Sequence, residues 1–241
     1  MKIYKLFLLF ILILSVRYSA ALAQTGEYKI ETNIAYYPED IVQEDVYIKE
    51  RCVLDIYYPI NTKNFATVVW FHGGGLTGGE KEVPAALKQK GFCIVGVNYR
   101  LSPKVKSPKY IEDAAAAVAW VFNNIENYGG DTSLIFVAGY SAGGYLTEMV
   151  GLDKKYLAKH NIDANNIAGL ISLSGQAITH FTIRQERGIS GTQPIIDEFA
   201  PLYHVRKLSL IHILKNFSEH CRIFSRVKLE LTLVTTMNFL I

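Results

Sequence analysis

Short apolar runs broken by glycine- and proline-rich turns set the rhythm of this chain. Thr67-Val68-Val69-Trp70-Phe71 and Leu134-Ile135-Phe136-Val137-Ala138 are apolar at nearly every position. A run of that length without alternation fits a strand buried on both faces. Residues 92–99 and 167–174 read as further strands. Two further strands are expected over 45–49 and 52–58, the second stopped by Pro59. Residues 81–89 read as a helix ended by Gly91. A long helix is expected to open at Pro108 and Glu112 and run through Ile125, driven by Ala114-Ala115-Ala116-Ala117 and Trp120. Residues 175–203, with Thr192-Gln193-Pro194, read as loop-rich. Strands alternating with helices predict an α/β fold: a mostly parallel sheet with helices on both faces.

Ligands bind such sheets outside the carboxyl ends of the strands, and two motifs fall there. Gly139-Tyr140-Ser141-Ala142-Gly143 lies between the run at 134–138 and a helix-like stretch over 144–150. A serine on a tight strand-to-helix turn takes strained dihedrals and needs small neighbours. The turn lifts its hydroxyl clear of the sheet, and the N–H of Ala142 then points to where an oxyanion would form. His72-Gly73-Gly74-Gly75 follows the run at 67–71. Glycines lack Cβ and let backbone N–H groups approach a ligand closely. A linker or a phosphate cradle would also use a glycine run, but no Gly-Lys-Ser/Thr follows. A dinucleotide fold is disfavoured because no Gly-x-Gly-x-x-Gly follows the first strand.

These stretches resemble the α/β-hydrolase family, and within it esterases similar to hormone-sensitive lipase and bacterial feruloyl or acetyl esterases. The match is carried by Trp70-Phe71-His72-Gly73-Gly74-Gly75, Val97-Asn98-Tyr99-Arg100-Leu101, Tyr110-Ile111-Glu112-Asp113-Ala114, Gly129-Gly130-Asp131 and the elbow at 139–144. It runs from about residue 46 to about residue 207. The resemblance implies Ser141 as nucleophile and Gly74, Gly75 and Ala142 as oxyanion donors. It implies a carboxylic ester hydrolase acting on a small-molecule ester, a carbohydrate-linked acyl ester being one candidate. Neither a metal nor an organic cofactor is implied. Arg100, Asp113 and Asp131 are expected to be structural, and the ring of His72 to steady its own loop.

Composition changes the picture at the ends. Lys2 and Lys5 precede an apolar run over 6–14, and Ala21-Leu22-Ala23 has the small-x-small form of a cleavage site. Residues 1–23 therefore read as a signal peptide, giving a secreted or periplasmic protein with no membrane association after cleavage. The formal charge of +3 matches Lys2, Lys5 and Arg17, since this segment holds no acid. The remainder is neutral, with no basic stripe for nucleic acid. The three cysteines are too few for a disulfide framework. The family resemblance places Cys52 and Cys93 on antiparallel strands at opposite ends of the sheet, so no bridge is expected between them.

The domain is expected over 24–207, truncated after about its sixth strand. Serine needs a histidine to take its proton and an acid to hold that imidazole. In this family both come after later strands, yet beyond Lys207 the chain has neither Asp nor Gly. Glu219 and His220 are adjacent, so they cannot occupy two strand tips. Asp197 with His204, His212 or His220 has the right order in the wrong part of the fold. Residues 208–241 read as foreign to the family. Leu208-Ser209-Leu210-Ile211-His212-Ile213 is also the translation of CTGTCTCTTATACACATC, which resembles a transposase mosaic-end adapter. An assembly or frame artefact is therefore expected there, a natural frameshift or divergent terminus being the alternative. Little activity is expected of the chain as written. The competing class is a non-catalytic ligand-binding module on the same scaffold.

Overall fold

The computed structural model describes residues 26–205. The signal-peptide reading of 1–23 and the foreign-tail reading of 208–241 fall outside the described residues, as do Cys221, His212, Glu219 and His220. Strand β1 (Tyr28–Ala35) leads to two short helices, α1 (Glu39–Glu44) and α2 (Val46–Arg51). Strands β2 (Val53–Pro59), β3 (Phe65–Phe71) and β4 (Cys93–Val97) follow, then the long helix α3 (Lys109–Tyr128). Next come β5 (Gly130–Tyr140), α4 (Ala142–Leu152), α5 (Lys155–Ala158), β6 (Gly169–Leu173) and α6 (Phe181–Glu186). The strands form one sheet in the order β1-β2-β4-β3-β5-β6. Strands β4, β3, β5 and β6 run parallel, and β1 and β2 are antiparallel additions at one side.

The predicted doubly covered strands are the centre of the sheet. Every residue of β3 and β4 is buried. Alternation along β3 sends Val69 and Phe71 to one core and Ala66, Val68 and Trp70 to the other. The larger core lies under α3 and α4, where Ala114, Ala115, Ala117 and Val118 are fully buried. Gly129 ends α3 at φ 95°, its N–H bonding back to Ile125 and Glu126 carbonyls, a left-handed cap that glycine adopts without a Cβ penalty.

Three expectations are corrected. Residues 45–49 are not a strand: Asp45 caps α2, accepting from Tyr47 N at 2.8 Å and Ile48 N at 3.2 Å. The β-branched Val46 and Ile48 suggested alternation, but Ile48 and Arg51 are the buried pair, at helical spacing. Residues 81–89 are not a helix. Pro84 sits inside that window, and only a 3₁₀ turn, Ala85–Leu87, forms after it. The true first strand, β1, was not expected at all. It is an edge strand, half-buried at Tyr28, Glu31 and Ile34 and exposed elsewhere, although Tyr28, Ile30, Thr32 and Ile34 alternate with Lys29, Glu31 and Asn33 along its sequence.

Cys52 and Cys93 are buried free thiols. Tyr57 of β2 pairs with Ile94 of β4, so Cys52 and Cys93 lie toward opposite ends, as expected. Among the described residues no helix is long and apolar enough to cross a membrane. No group of three or more His, Cys, Asp or Glu among them could hold a metal ion.

Candidate active site

Two loops leave the same edge of the sheet side by side. Phe71, the last residue of β3, pairs with Gly139 of β5, so His72 and Ser141 emerge at nearly the same height. Ser141 takes φ 55° and ψ −114° between β5 and α4, a left-handed backbone that a residue with a side chain adopts only under constraint. The constraint is visible on both sides. Ser141 N–H donates to Leu173 O of β6 at 2.8 Å, and Ser141 O accepts from Tyr145 N at 3.0 Å.

Small residues are needed there because backbone meets backbone. A Cβ on Gly143 would lie 2.0 Å from Phe71 O and 2.7 Å from His72 O, so the first turn of α4 sits directly on the end of β3. One on Gly139 would lie 2.4 Å from Gly143. Gly73 lies against the elbow: its Cβ would approach Tyr140 O at 3.2 Å and Ser141 Cβ at 3.5 Å. The two sequence motifs are thus in mutual contact, although 63 residues lie between Gly75 and Gly139.

The glycine loop is oriented carbonyl by carbonyl. His72 Nδ1 lies 2.6 Å from Gly73 O; a carbonyl only accepts, so Nδ1 carries the proton. Gly74 O accepts from Thr77 N at 3.1 Å and Gly78 N at 3.0 Å, and from Thr77 Oγ1 at 3.2 Å. In a trans peptide the N–H points opposite to the C=O. Holding the Gly73 and Gly74 carbonyls therefore turns the Gly74 and Gly75 N–H groups the other way. Neither N–H has an acceptor among the described residues. Gly74 at φ 112° and Gly75 at φ 64° occupy backbone that glycine alone reaches freely.

His72 is buried and stacked on Tyr99, ring centroids 4.4 Å apart. Burial lowers its pKa from the ordinary histidine value, which keeps the ring neutral and Nδ1–H committed to Gly73. It is a brace, as expected, and not a base for Ser141. Behind it Arg51 reaches Tyr99 O at 3.2 Å, Gly79 O at 2.9 Å and the Glu80 carboxylate. Asn98 Nδ2 donates to Glu80 Oε2 at 2.8 Å. Nothing in the sequence singles out Arg51 or Glu80, because polar residues 29 positions apart announce no contact.

The remaining candidates fall into place as scaffolding. Arg100 grips the fully buried Asp113 through Nε at 2.9 Å and Nη2 at 2.7 Å, a forked pair suited to guanidinium. Asp131 closes a turn onto Ser133 N at 2.8 Å. Asp197 is engaged by Thr179 Oγ1 at 2.7 Å and by Arg187, while His204 Nε2 contacts Glu198 O at 2.8 Å. Asp197 and His204 are thus held apart, and that pairing is not a relay. His180 is buried at the start of α6, its Nδ1 accepting from Thr182 N at 3.3 Å. Among the described residues no histidine is hydrogen-bonded to Ser141.

With this geometry fixed, known proteins can be set beside it. Residues 54–201, more than half of the chain, match the BD-FAE family. The chain belongs to the BD-FAE family. The matched span contains β2 through β6, the glycine loop and the elbow. Carboxylesterase NlhH of Mycobacterium tuberculosis is 39% identical over 101 residues, covering 39% of this chain and 32% of that protein. Fumonisin B1 esterase of Sphingopyxis macrogoltabida is 36% identical over 116 residues, covering 39% of this chain and 22% of that protein. The BD-FAE chain therefore matches no more than about a third of the length of either relative. A structure described as a truncated form of a carbohydrate esterase from gut microbiota superposes with a TM-score of 0.57 at 16% identity. It covers 82% of this chain and 86% of that one. That likeness carries the α/β-hydrolase fold, as the sequence led one to expect.

Proposed function

We propose that this chain carries the nucleophile and oxyanion half of a carboxylic ester hydrolase. Ser141 Oγ attacks the ester carbonyl and gives up its proton, the C–O bond to the alcohol breaks, that proton passes to the departing alkoxide, and the acyl group is left on Ser141. The N–H groups of Gly74, Gly75 and Ala142 take the negative charge that develops on the carbonyl oxygen. Their preorganisation is supported by one observation above the others: Gly143 brings the turn bearing Ser141 onto the backbone of Phe71 and His72. The esterase names of NlhH and fumonisin B1 esterase point the same way. The substrate class is a small-molecule ester, and the signal-like residues 1–23 favour a secreted or periplasmic site of action.

The base and acid of the relay are not supplied by the described residues. An oxyanion hole and binding alone retain roughly 10³–10⁴ over water in a comparable hydrolase. Slow turnover of a short-chain p-nitrophenyl ester is therefore expected. Any rate above that background, and the acyl-enzyme itself, should be lost in Ser141→Ala without a change in the melting profile. Ester binding with no turnover in either protein would instead favour the non-catalytic binding module.

A further inference from the structure

We infer that Thr182, on the first turn of α6, is a positioning residue for the oxyanion loop. This rests on the oxyanion reading of Gly74 and Gly75 above. Thr182 is 3% exposed, and its hydroxyl donates to Gly75 O across 107 residues of sequence. That bond completes a series. The Gly73 carbonyl is held by His72 and the Gly74 carbonyl by Thr77 and Gly78; the Gly75 carbonyl is held by Thr182. The peptide plane on each side of Gly75 is then fixed, one within its own loop and one from the segment after β6. Gly75 has no side chain to limit its dihedrals, so an external restraint on its second plane matters more than at any other residue type.

The support behind Thr182 is rigid enough to serve. His180 Nδ1 accepts from Thr182 N at 3.3 Å, and Gln176 Oε1 accepts from Phe181 N at 3.0 Å. At the other end of α6, Glu186 Oε2 accepts from Ser107 N at 2.9 Å and Tyr110 OH at 3.3 Å, tying α6 to the start of α3. The Phe181 ring lies 3.0 Å from where a Cβ on Gly75 would be, so the same turn also walls the loop. The segment over 175–203 thereby enters the site through a backbone carbonyl, an interaction that leaves no motif.

The test is a ¹⁵N NMR titration of the full chain with butyrate, a carboxylate that fits an oxyanion site, reading the Gly74, Gly75 and Ala142 amides. In the parent chain all three amides should shift together. In Thr182→Val, which keeps the shape and removes the donor, butyrate should bind at least several-fold more weakly, with the Gly75 shift reduced most. Thr182→Ser should restore both. Hydrogen exchange at the Ile183 and Val118 amides, unchanged in Thr182→Val, separates this from general unfolding. If none of the three amides of the parent responds, the oxyanion reading itself fails. If the parent responds and Thr182→Val responds equally, or Thr182→Ser fails to rescue, the positioning role is overturned. Should Thr182→Val not fold, Thr182→Ala is read in the same way.

Discussion

The residues that decide this fold's chemistry are those with the least side chain. Gly143 has no room for one methyl group, since a Cβ would stand 2.0 Å from Phe71 O, a backbone atom that cannot rotate away. Gly143→Ala must push α4 off the end of β3, and overpacking of this kind costs about 1–3 kcal/mol. A urea midpoint lowered by a corresponding amount, with loss of whatever ester turnover the parent has, is the expected outcome. A variant of unchanged midpoint would show that the two loops are not in the contact described. His72 illustrates the reverse case, a titratable side chain used for its proton on one nitrogen. Its place behind Gly73 was readable from the motif, and its stacking on Tyr99 was not.

At the scale of elements, α6 links stability to pH. Burial pushes the pKa of His180 down to about 4, with the nearby Arg184 charge acting in the same direction. The unfolded chain binds its proton near the ordinary value of about 6.5. Stability is therefore complete above pH 6.5 and falls as pH drops toward 4, by about 3 kcal/mol from this one group. Below pH 4 the loss is complete. Protonated Nδ1 also can no longer accept from Thr182 N. His180→Asn retains a capping side chain and should lose about 3 kcal/mol less than the parent between pH 6.5 and 4, measured by urea unfolding at each pH. Equal losses would place the histidine in water.

Elements also show what the sequence could carry. Apolar runs at 67–71, 92–99 and 134–138 appear as β3 to β5 because strands buried on both faces need little but apolar residues, and 167–174 appears as β6, a half-buried strand at the edge of the described sheet. The long helix was legible from its alanines, although it runs on to Tyr128, about one turn past the expected end at Ile125. β1 was missed although Tyr28, Ile30, Thr32 and Ile34 alternate with polar residues, because a largely exposed edge strand carries few large apolar side chains. α2 was misread because the two capping bonds that Asp45 accepts outweighed β-branched propensity. Ser141, Ala142, Gly74 and Gly75 were legible as motifs; Arg51 and Thr182 act on backbone carbonyls from far along the chain and were not.

For the whole molecule, the central question is what the proposed nucleophile Ser141 does on a sheet described only as far as β6. In the described residues β6 pairs with β5 alone, and Glu148 beside it has its carboxyl pKa raised by burial. The chain matches no more than about a third of the length of the esterases it resembles, and among the described residues no histidine is hydrogen-bonded to Ser141. Without a base to activate water, deacylation should be slower than acylation, and the acyl-enzyme should accumulate. Peptide mapping by mass spectrometry after exposure to p-nitrophenyl acetate tests this directly. The account predicts one acetyl group on the peptide containing Ser141, absent from Ser141→Ala; acetylation confined to lysine or tyrosine side chains and unchanged by that substitution would contradict it.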